Sequence, residues 1–121
     1  MKWIIFIGDE KLTLESIKGI KHAGSISSYD VSEGRYCVNY GVQDHIFYDY
    51  FNDMADQYTV SEFERIPYTN PHFIMMVYKS GERVKRIIQQ DNFLRGIYVD
   101  NDCDLIVPIE EFISMGMPME S

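Results

Sequence analysis

The stretch from His72 to Ile113 constrains the fold most, because its hydrophobic pattern changes period repeatedly over a short length. It reads as strand, helix, strand, tight turn, strand and helix. The apolar run Phe73 to Tyr78 has the length of a buried strand and is too short for a typical helix. Ser80 and Gly81 break it, and Ser80 suits the N-cap of the helix that follows, whose apolar face is Val84, Ile87 and Ile88. Ile97 to Val99 and Leu105 to Val107 flank the acidic segment Asp100 to Asp104, a hairpin signature. Pro108 suits the first turn of a last helix. Glu110 and Glu111 favour the positive end of its dipole, and Gly116 marks its end. A strand, helix and strand in series predict a crossover with parallel strands.

Upstream, Lys2 to Ile7 is apolar on both faces, as an interior strand requires. Leu14, Ile17 and Ile20 have helical spacing, with Thr13 and Ser16 as a weak capping box. Ser25 to Val31 and Arg35 to Val42 are expected strands. The second alternates Tyr36, Val38, Tyr40 and Val42 with Arg35, Cys37, Asn39 and Gly41. Residues 45–54 fit both periods, and their β-branched and aromatic content favours a strand through Tyr50, then a helical turn. Ser61 to Glu64 resembles a capping box opening a short helix that Pro67 ends. These elements predict a single α+β domain over residues 1–121. Its sheet is expected to be mixed, of five or six strands, with about three short helices and a loose tail at 117–121. At 121 residues the chain can bury a core without a metal or disulfide staple.

Charge narrows the function classes. The formal net charge is -8, which disfavours nucleic acid and anionic membrane surfaces as partners, since both demand Lys and Arg. Within residues 29–64, Asp30, Glu33, Asp44, Asp49, Asp53, Asp56, Glu62 and Glu64 oppose Arg35 alone. The same stretch carries Tyr29, Tyr36, Tyr40, Phe47, Tyr48, Tyr50, Phe51, Tyr58 and Phe63. Carboxylates interleaved with aromatic rings are what a surface for a basic protein needs: rings supply contact area, and carboxylates steer and pair with Arg and Lys. The blander alternative is a solvated acidic face over a core that uses many of those rings. The candidate contacts are Tyr48, Asp49, Asp53 and Asp56, with Asp30, Glu33 and Asp44 around them. Asp100, Asp102 and Asp104 form a second acidic patch.

Motifs for catalysis are missing from the sequence. His22, His45 and His72 share no metal-ligand spacing, and there is no phosphate-cradling glycine loop or nucleophile elbow. Asp100, Asp102, Asp104 and Glu111 match the spacing of calcium-loop ligands. The sixth loop position, however, is Leu105 where the sharp turn needs glycine. Neither a cofactor nor a metal is expected. Cys37 and Cys103 lack a CxxC spacing and suit two reduced thiols in a cytoplasmic protein, although a disulfide between them stays open. The apolar run Trp3 to Ile7 is too short for an export signal or a membrane span.

A small, acidic domain with this tyrosine and carboxylate middle, and with the segments Ile97 to Asp102 and Val107 to Phe112, resembles the immunity proteins of bacterial toxin systems. The resemblance is one of type. It implies a cytoplasmic, non-catalytic protein that binds and blocks a basic toxin, and it carries no residue roles. Two other readings remain: a small enzyme or calcium-binding domain using the Asp100–Asp104 turn, and a structural or assembly subunit pairing through an edge strand.

Overall fold

The computed structural model describes residues 2–51 and 54–119. The strands are β1 (Lys2–Gly8), β2 (Ser27–Ser32), β3 (Arg35–Asn39), β4 (His45–Phe51), β5 (His72–Tyr78), β6 (Tyr98–Asp100) and β7 (Ile106–Pro108). They form one sheet in the order β2-β3-β4-β5-β1-β6-β7. The helices among the described residues are α1 (Leu14–Lys18), α2 (Val60–Phe63), α3 (Gly81–Ile88), α4 (Ile109–Ser114) and a 3-10 turn, Met54–Gln57.

The α+β class agrees with the sequence reading, but the sheet has seven strands and every pairing is antiparallel. The expected mixed sheet fails for one reason. β5 and β6 do run parallel across α3, yet β1 lies between them and pairs antiparallel with both. β1 is the only strand here with five consecutive buried residues, Ile4 to Gly8. Burial of both its faces favours a position between neighbours over an edge.

Strand alternation sorts the side chains into two layers. Ile4, Phe6, Val38, Ile46, Tyr48, Ile74, Met76, Tyr78 and Val99 meet Ile17 of α1, Val84, Ile87 and Ile88 of α3, and Ile109 and Phe112 of α4. On the other face, Met54 and Ile66 cover Ile5, Ile7, Phe73 and Ile106.

Local signals place the helices. Ser80 Oγ accepts from the Arg83 N–H, as its sequence position suggested. Thr13 and Ser16 cap each other reciprocally, so the weak box does form. The cap of α2 lies two residues earlier than expected: Thr59 and Glu62 form the box, because Glu62 reaches the Thr59 N–H at 2.9 Å. α4 ends in a Schellman motif. The Met117 N–H donates to Phe112 O and the Gly116 N–H to Ile113 O, with Gly116 at φ +85°. Where the sequence suggested a loose tail from residue 117, Met117 is buried, and the Pro118 carbonyl accepts from Asn101 Nδ2 at 2.8 Å. No helix among the described residues is long and apolar enough to cross a membrane.

Candidate protein-binding surface

The acidic turn between β6 and β7 is built from its own side chains. Asp100 Oδ1 accepts from the Asp102 N–H at 2.8 Å, and Asn101 Oδ1 accepts from Cys103 and Leu105. Asp102 and Asp104 adopt positive φ, which aspartate tolerates better than most residues. Asp102, Cys103 and Asp104 stay exposed, while Asp100 and Asn101 are buried.

The remaining oxygen of Asp100 is taken by Tyr58, whose hydroxyl donates to Oδ2 at 2.8 Å. Tyr58 leads from the 3-10 turn into α2, and its ring stacks on Phe73 at 5.4 Å between centroids. Burial raises the Tyr58 hydroxyl pKa above its ordinary value, and the negative charges of Asp100, Glu62 and Asp102 raise it further. Glu62, from the acidic middle, thus shares one region with the Asp100–Asp104 turn. Arg65 sits beside them, donating to the Asp104 carbonyl at 3.0 Å. The carboxylate that would open a calcium loop is engaged by Tyr58 and by its own turn. Among the described residues, no group of three or more His, Cys, Asp or Glu is arranged to hold a metal ion.

The candidate contacts do not converge. Tyr48 is fully buried in the helix-covered layer, so it cannot be a surface contact in this fold. Its hydroxyl meets His22 Nε2 at 2.7 Å. Asp49, one residue on, points to the opposite face and pairs with Arg35 at 2.8 Å. Burial raises the Asp49 carboxyl pKa, with Arg35 pulling the other way. Asp44 accepts from Arg83 Nε and Nη2, both at 3.1 Å. Asp30 pairs with Lys18 at 2.7 Å. Glu33 and Asp56 are exposed in the β2–β3 turn and the 3-10 turn. Asp53 lies outside the described residues. Alternation along β4 and the sheet edges separates these groups, so the middle is a dispersed field rather than one patch.

No protein-family model matches the chain, and neither does any curated protein or solved structure. The geometry itself therefore carries the reading.

Two further surfaces lie outside the residues that the sequence singles out. One is an open cleft of about 520 Å³ lined by Thr13, Leu14, Glu15, Glu33, Gly34 and Tyr50. Two of its walls carry carboxylates, and the Tyr50 hydroxyl shares a hydrogen bond with His72 Nδ1 at 3.0 Å. Its walls come from α1, the β2–β3 turn and β4, so no local motif announces it. The other is a row across the second face of the sheet. Tyr29, Cys37, Phe47, Val77 and Trp3 lie in register on β2, β3, β4, β5 and β1. Arg35 stands 4.3 Å over the Phe47 ring, and His45 stacks on the same ring. Tyr29 and Trp3 remain exposed at the ends of the row, and the strand alternation was the signal that could have found it. Cys37 and Cys103 are both free thiols, the first buried and the second exposed.

Proposed function

We propose that this protein is an acidic protein-binding module, an immunity or inhibitor protein that acts in the cytoplasm by binding and neutralising a basic partner such as a toxin. The observation that carries the reading is that the α2 segment is tied to the Asp100–Asp104 turn, by the Tyr58 hydroxyl on Asp100 and by Arg65 on the Asp104 carbonyl. It joins two acidic stretches that are far apart in sequence. The net charge of -8 gives the whole molecule the sign that attracts a cationic partner. Tyr58, held by Asp100, supplies a rigid ring at that pole, and Asp102 and Asp104 are exposed in the same turn. The protein would act by occupying the partner's surface, with no chemistry of its own.

The test is to identify the adjacent genes, co-express the protein with any basic product they encode, and run a binding assay on the purified pair. Growth should be protected, and the association rate should fall steeply between low and physiological salt. Asp102→Lys combined with Asp104→Lys should slow association by about tenfold or more at low salt. An unchanged rate and unchanged protection would remove the acidic pole from the interface. A failure of any basic neighbour to bind would remove the inhibitor reading.

A further inference from the structure

We propose that β2 is a docking edge for an extended segment of the basic partner, one in which apolar and cationic side chains alternate. The inference rests on the reading of the protein as an acidic protein-binding module and names the surface that module uses. β2 is the terminal strand of the sheet, so its outer row of backbone N–H and C=O groups faces solvent. All six of its residues are exposed, unlike every other strand of the sheet. Such an edge is a template for one more strand, whose main-chain hydrogen bonds give affinity and whose alternating side chains give specificity.

The two faces of the edge differ in the way an alternating strand would match. On one face Tyr29 continues the row through Cys37 and Phe47, and it is 48% exposed. Ile26 precedes the strand at 69% exposed and lies against Gly41 of the β3–β4 turn. On the helix-covered face Asp30 points toward α1, its side chain 63% exposed. There Glu15 and Asp30 share Lys18 as counter-ion, at 3.4 and 2.7 Å. Glu33, just past the end of β2, adds a third carboxylate at the mouth of the 520 Å³ cleft. One lysine against three carboxylates leaves the site short of positive charge. A strand paired along the edge would set its apolar side chains beside Tyr29 and its cationic ones beside Asp30. Its end would deliver a lysine or arginine to Glu33 and Glu15. The register of β2 on β3 shifts between Asp30 and Ser32, so regular pairing is confined to Ser27–Asp30. A second copy of this chain fits less well, since it would bring Asp30 and Glu33 against like charges.

The experiment uses the full chain and an acetylated, amidated decapeptide of alternating valine and lysine as the probe. Binding is followed by amide chemical shifts and hydrogen exchange. The expected result is saturable binding at low salt, with slowed exchange confined to amides of residues 26–32. A peptide of the same sequence, N-methylated at alternate residues along its pairing edge, should bind at least about tenfold more weakly, because it cannot form the ladder. Asp30→Asn with Glu33→Gln should weaken the unmodified peptide by a similar factor. Equal binding of the two peptides, or protection centred on Tyr58 and the Asp100–Asp104 turn, would overturn the docking edge while leaving the acidic-partner reading intact. No binding of either peptide would also overturn it, and the co-expression assay judges the broader reading independently. A dimer by light scattering, with residues 26–32 protected in the absence of peptide, would assign the edge to a second copy and overturn it as well.

Discussion

His22 and Tyr48 form the most buried polar pair described here. His22 Nδ1 can only donate to the Ile20 carbonyl, at 3.1 Å, so the neutral ring presents Nε2 as acceptor to the Tyr48 hydroxyl. Burial depresses the His22 pKa below its ordinary value, outweighing the Ile20 carbonyl, which pulls it up. The neutral form is therefore favoured by folding. Its contribution to stability is complete above the unfolded value near pH 6.5 and is lost as pH falls through the lower folded value. Urea titrations at pH 7.5 and 5 should show a larger loss on acidification for the native protein than for His22→Gln. Equal losses would assign the acid sensitivity to other groups. Tyr48→Phe leaves a buried acceptor unsatisfied and should cost about 1–3 kcal/mol in the same assay. Asp49 carries a different lesson. It is held against Arg35 beneath the sheet face, so Asp49→Lys would set two cations together and disturb the fold before it tested any interface. Exposed Glu33, Asp56, Asp102 and Asp104 are better probes.

At the scale of elements, caps and turns do what their local sequence says. Ser80→Ala removes the N-cap of α3, the longest of the described helices, and should lower stability by about 1 kcal/mol by urea denaturation. Gly116 holds φ +85° in the Schellman turn that seats Met117 on the core. Gly116→Ala should cost about 1 kcal/mol through backbone strain, although a Cβ there meets nothing within 4 Å. A neutral result would mean that the turn relaxes without penalty. Both features were legible beforehand because they depend on neighbours within a few residues. The α2 cap lies two residues earlier than the sequence suggests because Thr59–Glu62 and Ser61–Glu64 both have capping-box spacing, and only the backbone's path decides which box closes. The β-branched and aromatic content that favours a strand through Tyr50 does form β4, which runs one residue further, to Phe51.

At the scale of the whole molecule, a net charge of -8 acts against compactness as well as in favour of a cationic partner. Raising sodium chloride from 20 to 300 mM should therefore raise the thermal midpoint by a few degrees, because screening reduces self-repulsion. A fall would mean that internal pairs such as Arg83–Asp44 and Arg35–Asp49 outweigh that repulsion. The charge also has a distribution that no linear count conveys. Asp30, Asp44 and Asp49 are each met by a cation, and Glu33, Asp56, Asp102 and Asp104 are exposed on different parts of the surface.

The sequence by itself determined the α+β class, the approximate place of most strands and helices, the hairpin with its acidic tip and the sign of the surface charge. Each of these depends on composition or on interactions a few residues long. Only the tertiary structure decided that β1 divides β5 from β6 and makes the sheet wholly antiparallel, because strand order rests on competition among apolar faces from distant segments. It alone decided that Tyr48 is core and Asp49 is not, that Tyr58 and Arg65 tie the α2 segment to the Asp100–Asp104 turn, and that Glu15 and Glu33 face one cleft. Those outcomes depend on which strands become neighbours and how the chain crosses over them, and neither is encoded in any single window of residues.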